Sequence, residues 1–148
     1  MRLLYSKQKT KYFVEEYWEH KLTQEYTVIC PFDNSFHFLE LREDGWYIGA
    51  YKGCRWDGAT SWFDSRIILK GSLAHDILHW LIRDGCISPD NNSTIDKELE
   101  TVIVTSNPDY PIWKGGEPIL RVRARLIRRG TNLVNQTVGE KVKIYELL

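Results

Sequence analysis

The helical segment at residues 72–83 is the strongest constraint on how this chain folds. It follows the 3.6-residue period of a helix and stops at Asp84-Gly85, a helix-ending pair. Apolar side chains cover about two-thirds of its circumference, more than a surface helix normally buries. They are Leu73, Ala74, Ile77, Leu78, Trp80, Leu81 and Ile82. Such a helix must be covered on most sides, so the sequence predicts that it lies at the centre of the domain.

A single polar stripe runs along the same helix. At 100° per residue the stripe spans a sector of about 100°. Its members are Ser72, His75, Asp76, His79 and Arg83. A solvated helix face is the simpler interpretation of this stripe. Two histidines and an aspartate are unusual for solvation alone, which indicates a polar site directed into a cleft as the alternative.

A second helix is predicted from the capping signals at residues 91–93 to about residue 105. Its core-facing stripe consists of Ile95, Leu99, Val102 and Ile103, with Asp96 and Glu100 at the margin. Asp96 can therefore approach the first helix. A carboxylate beside an imidazole fixes the tautomer and raises the basicity of the ring. We expect His75 and Asp96 to form a catalytic dyad.

The remaining pattern predicts strands before these helices. Residues 25–29 have the composition of a strand, which should end at Cys30-Pro31. Residues 36–42 and 46–51 are typical of the two strands of a hairpin, with its turn at residues 43–45. A third helix is predicted at residues 117–129. Strands followed by about three helices indicate an α+β fold. We expect one domain over residues 1–130 and an extended arm or edge strand over residues 131–148.

Composition excludes some classes of function. The 148 residues carry 20 basic and 20 acidic side chains, a balance that makes a nucleic-acid partner unexpected. No apolar run of about 18 residues predicts a membrane span, and the first residues lack the apolar region of a secretory signal. Three cysteines cannot all be paired within one chain, so a reducing compartment is the simpler expectation.

At these motifs the chain resembles a family of unassigned function found mainly in tailed-phage genomes. That family has a hairpin, a loop ending in Thr-Asp-Gly-Ala-Ser, a His-Asp-x-Leu-Tyr helix and an aspartate on the next helix. Here the loop reads Trp56-Asp57-Gly58-Ala59-Thr60, the helix reads His75-Asp76-Ile77-Leu78-His79, and the later acid is Asp96. The resemblance spans about residues 36–130. It implies a phage protein located in the virion or the host cytoplasm.

The same order of motifs is similar to that of microbial phospholipase A2, in which an Asp-Gly-Cys-Ser loop precedes a His-Asp-x-x-Tyr helix. The similarity implies that His75 activates water and that Asp96 orients it. It further implies that Asp76 and the carbonyl of Gly58 bind calcium, and that the substrate is a lipid or another ester. His79 stands where both families have tyrosine.

Two other interpretations stay open. Histidines at i and i+4, His75 and His79, can share one zinc ion on a helix, with Asp57 or Asp96 as a third ligand. Zinc is the weaker expectation because Asp76 replaces the glutamate of the usual zinc motif and reaches bound water less well. Alternatively, the chain is a non-catalytic virion or accessory protein that binds other virion proteins. In that case His75, Asp76 and Asp96 form a buried network that joins the helices.

Overall fold

The computed structural model describes residues 3–6, 11–56 and 66–107. The strands in these ranges are β1 (Leu3–Ser6), β2 (Lys11–Val14), β3 (Trp18–Lys21), β4 (Phe32–Asp33), β5 (His37–Arg42), β6 (Gly45–Ala50) and β7 (Arg55–Trp56). The helices are α1 (Arg66–Arg83) and α2 (Asn92–Thr105), with a 3-10 turn at Pro89–Asn91 between them. Strands precede helices, so the predicted α+β class is confirmed for the described residues. None of these helices is long and apolar enough to cross a membrane.

The strands form two antiparallel sheets. The larger sheet has the order β3-β6-β5-β4, and the smaller has the order β1-β2-β7. The predicted hairpin is confirmed: β5 pairs with β6 from His37 opposite Ala50 to Arg42 opposite Gly45. Gly45 has a φ of 140°, a conformation that side-chain-bearing residues rarely adopt. A glycine therefore closes this turn.

Helix α1 is the centre of the core, as its apolar surface predicts. Its fully buried side chains include Leu73, Ile77, Leu78 and Leu81, and they join Leu39 and Ile48 of the hairpin in one cluster. The helix begins at Arg66, earlier than the predicted start at Ser72. Gly71 lies inside α1, where a Cβ would come within 2.7 Å of the Ile103 side chain. Gly71 is thus a point of close approach between the helices rather than a helix end.

Helix α2 covers one side of α1. It begins and ends close to the predicted positions, and the four apolar residues predicted to face the core are all buried. The predicted third helix and C-terminal arm lie outside the described residues, as does part of the predicted single domain.

The predicted strand at residues 25–29 is wrong. Within it, Val28 makes only an isolated bridge to Ile87. The amide of Thr27 donates to the Asn91 side chain at 3.4 Å, and the amide of Ile29 donates to the carbonyl of Cys86 at 2.7 Å. The backbone of this segment is satisfied by the connection between the helices, so no ladder to another strand is needed.

Glu98 of α2 fixes the start of the same segment. Its side chain is fully buried and accepts hydrogen bonds from the amide of Thr23 at 2.8 Å and from the Thr23 hydroxyl. The amide of Gln24, the Tyr26 hydroxyl and His20 Nε2 each lie 3.3 Å from its oxygens. Burial alone would raise the pKa of Glu98, but the bonds from His20 and Thr23 outweigh it, and the pKa lies below the usual value.

We expect Glu98→Gln to lower the free energy of unfolding at pH 7 by about 1–3 kcal/mol, because an amide cannot accept all of these bonds. A carboxyl whose pKa is lowered in the folded state stabilises above its unfolded pKa, and that stability is lost as the pH falls through the folded pKa. The difference between wild type and variant should therefore shrink below about pH 4.3. Chemical denaturation of both proteins at several pH values from 7 to 3 measures this difference in the free energy of unfolding.

The matched control is Glu43→Gln, which changes an exposed carboxylate in the turn of the hairpin. It should leave stability nearly unchanged at every pH. A Glu98→Gln protein as stable as wild type, or a difference independent of pH, would contradict the role assigned to this carboxylate.

Candidate active site

The structure brings together two residues predicted from the sequence to form a dyad. Nε2 of His75 on α1 lies 3.3 Å from Oδ1 of Asp96 on α2. The side chain of His75 is 12% exposed and that of Asp96 is 3% exposed. Asp96 reaches this place because it lies at the edge of the apolar stripe by which α2 packs on α1. The pair is therefore shielded from water, and its electrostatic interactions are strengthened accordingly.

Asp76 lies on the other side of the imidazole. Its Oδ1 is 3.7 Å from Nδ1 of His75, which is beyond hydrogen-bond length. Its side chain is 29% exposed, so this side of the ring is the one closer to solvent.

His79, one turn along α1, faces the same nitrogen of His75 as Asp96 does. The two Nε2 atoms are 3.1 Å apart, and the rings meet edge to face. Nε2 of His75 thus has two acceptors within reach, the Asp96 carboxylate and an unprotonated nitrogen of His79. We infer that Nε2 carries the proton in neutral His75 and that Nδ1 is the free nitrogen.

The charges of the two aspartates determine the protonation of His75. Burial would lower the pKa of its imidazole, but Asp76 and Asp96 outweigh this and raise the pKa to about 9. Burial and the positive charge of His75 lower the pKa of His79 to about 3. At neutral pH the described residues therefore hold a charged His75 beside a neutral His79, and the neutral ring accepts a hydrogen bond from the charged one.

Asp96 is not saturated by these contacts. Although its Oδ1 lies 3.3 Å from His75, the oxygen is buried and has no well-aligned hydrogen-bond partner among the described residues. Buried polar atoms are usually paired, so this oxygen has capacity for a further donor. This oxygen can accept a stronger bond if the His75 ring turns slightly.

The other predicted site residues are placed differently. Ser72 is buried, accepts a hydrogen bond from Trp56 Nε1 at 3.1 Å and donates one to the carbonyl of Leu69 at 2.9 Å. It connects α1 to β7. Asp57 and Gly58 lie outside the described residues.

The described residues alone do not fit a metal ion. Within residues 3–6, 11–56 and 66–107, no group of three or more histidine, cysteine, aspartate or glutamate side chains is placed to hold one. Asp76 offers a single carboxylate, whereas calcium takes about 6–8 oxygen ligands. Calcium and zinc therefore remain predictions from the sequence.

Two features near the helices were not predicted. Glu98 is buried at the opposite margin of the α2 stripe from Asp96. The thiol of Cys54, just before β7, is buried, and burial together with the negative charge of Asp76 raises its pKa to about 12. The helical period placed Glu98 about 40° from Val102, and this signal could have identified it. Nothing in the sequence places Cys54 near Asp76.

A shallow pocket of about 410 Å³ lies away from these histidines. It is lined by β3, the turn of the hairpin and the segment after β3, including Lys21, Tyr26 and Trp46. None of its lining residues belongs to the polar stripe of α1.

The chain was compared with protein-family models, with curated proteins and with solved structures, and none of the three comparisons found a match.

We expect Asp96→Asn to lower the pKa of His75 from about 9, because burial persists while one of the two carboxylates is lost. Titration of the histidine ring resonances by NMR, with a chelator present, measures the change. Asp90→Asn, an exposed aspartate on the 3-10 turn, is the matched control and should leave the titration of His75 unchanged. An unaltered His75 pKa in Asp96→Asn would contradict this electrostatic account of the pair.

Proposed function

We propose that this chain is a phage-type hydrolase in which His75 activates water for attack on an ester and Asp96 orients His75. The main support for this proposal is that the buried carboxylate of Asp96 on α2 lies 3.3 Å from Nε2 of His75. A partner on the Nε2 side leaves Nδ1 free in the neutral ring, and Nδ1 faces the more exposed Asp76. General-base catalysis requires a fixed tautomer whose unprotonated nitrogen water can reach, and we assign that role to Nδ1 on the Asp76 side.

The base in the proposed reaction is the neutral form of His75, whose share grows as the pH rises towards its pKa of about 9. Its Nδ1 takes a proton from water as the water oxygen attacks the ester carbonyl. The imidazolium that forms is stabilised by Asp96 at the opposite nitrogen, and it later donates its proton to the departing alkoxide. The substrate class, a lipid or another ester, comes from the similarity to microbial phospholipase A2. The proposal contains no metal step, because the described residues alone do not fit a metal.

A second candidate function is that of a virion or accessory protein without catalysis. It is favoured by the protonation of the site: at neutral pH a charged His75 lies between Asp76 and Asp96, as in an ion-pair network that joins two helices. Large apolar side chains on the surface would suit contact with other virion proteins. They are Tyr17, Ile29, Phe36 and Leu41.

The variant His75→Asn separates the two candidates. If His75 is the base, the variant should lose about 10²–10⁴-fold in kcat on phospholipid vesicles or a soluble aryl ester, with a small change in Tm. His37→Asn is the matched control, because His37 is also buried but packs between Phe32 and Trp80. That control should lower Tm and keep the activity of the folded fraction.

An inactive wild-type protein together with a large fall in Tm for His75→Asn would contradict the hydrolase and support the structural network. Activity assays with added calcium and with a chelator test whether hydrolysis depends on calcium, as the similarity to phospholipase A2 implies. Calcium dependence would place the missing oxygen ligands among residues such as Asp57 and Gly58, which the structure does not describe.

A further inference from the structure

Two cysteines that are far apart in the sequence lie side by side at the edge of the domain. Cys30 precedes β4, and Cys86 lies in the turn after α1. The carbonyl of Cys86 accepts hydrogen bonds from the amides of Ile29 at 2.7 Å and Cys30 at 3.4 Å. Next to them, Val28 and Ile87 form an antiparallel bridge. The backbones around the two cysteines are therefore held together by several bonds.

The spacing suits a disulfide. With standard bond lengths, the 3.4 Å separation between Cys30 N and Cys86 O keeps the two Cα atoms within about 7 Å. A disulfide requires about 4.4–6.8 Å. Burial first, and then the neighbouring Cys30 thiol, raise the pKa of Cys86 to about 11. Both cysteines are in the thiol form in this structure.

The two thiols differ in access to solvent. Cys30 is exposed, whereas Cys86 is buried beneath it. An exposed thiol can react with a dissolved oxidant, and a buried neighbour can then displace that oxidant from it. Cys54 is also buried and lies before β7. Pairing of Cys30 with Cys86 would leave Cys54 as the single free thiol, which accommodates the odd number of cysteines.

We propose that Cys30 and Cys86 form a site for thiol–disulfide exchange that closes into an intramolecular disulfide on reaction with a small disulfide such as oxidised glutathione. The Cys30 thiolate attacks one sulfur of glutathione disulfide, forming a mixed disulfide and releasing one glutathione thiolate. The Cys86 sulfur, on losing its proton to solvent, attacks the Cys30 sulfur and releases the second glutathione thiolate. The protein loses two protons and two electrons, and glutathione disulfide takes up the electrons.

The bond would fasten the segment before β4 to the connection between α1 and α2. The chain between the two cysteines contains the hairpin and all of α1, so the closed loop is long. Closing a long loop restricts the unfolded chain, and the disulfide should therefore stabilise the fold.

The experiment is oxidation of the full chain with glutathione disulfide, followed by alkylation in denaturant and tryptic mapping. The expected product has one alkylatable thiol instead of three, and its tryptic fragments 22–42 and 84–97 are joined. Dithiothreitol should reverse the change. Oxidation should also raise Tm by roughly 5–10 °C.

Variants test the order of the steps. Cys86→Ser should stop at the mixed disulfide on Cys30, whereas Cys30→Ser should resist glutathione under native conditions. Cys54→Ser is the matched control and should still form the bond. If Cys86→Ser or Cys54→Ser fails to fold, the wild-type peptide map decides alone. Three alkylatable thiols after oxidation, glutathione retained on wild-type Cys30, or a Cys30 bond between two chains would each overturn the proposal.

Discussion

Helix α1 has very little surface that can face water, and both the hairpin and α2 pack against it and cover it. The hairpin of β5 and β6 covers one side with Leu39 and Ile48, and α2 covers another. Full burial of each large aliphatic side chain is worth about 1.5–3 kcal/mol, which is more than the net contribution of an ordinary hydrogen bond. The apolar sides therefore determine how the helices pack. The polar stripe occupies the part of the α1 circumference that is not used for apolar packing. The contact between His75 and Asp96 follows from this arrangement of the two helices.

Those parts of the fold that depend on periodicity could be predicted from the sequence. The hairpin has a glycine turn between two runs of strand-forming residues, and both helices carry regular apolar stripes. The approach of Asp96 to His75 could also be predicted, because a residue at the edge of a packing stripe must lie near the neighbouring helix. The predicted start of α1 near Ser72 is too late, since the helix begins at Arg66 and continues through Gly71. A glycine is needed at position 71 because the Ile103 side chain lies too close for a Cβ. Ser72 is placed inside the helix by its hydrogen bonds to Trp56 and Leu69.

The rest depends on contacts between segments that are far apart in the sequence. Residues 25–29 have the composition of a strand, but their backbone is bound by Asn91 and Cys86, and Glu98 holds the residues just before them. A side chain that replaces a strand partner leaves no periodic signal in the segment that it binds. Strand β3 shows the reverse case. Its mixed aromatic and charged residues do not have the pattern of a strand, yet it pairs with β6. Neither outcome follows from local propensity, since strand formation depends on which partner is available.

The two buried carboxylates of α2 differ in a way that bears on function. Glu98 is surrounded by donors from the segment after β3 and from His20, so its lone pairs are occupied and its charge stabilises the fold. Asp96 is almost as deeply buried, but its Oδ1 has only the poorly aligned His75 nitrogen near it within the described part of the chain. A carboxylate that serves only to join helices would be expected to have its donors in place, as Glu98 does. Asp96 therefore keeps capacity for a further donor, and this difference from Glu98 favours the proposed dyad over a purely structural network.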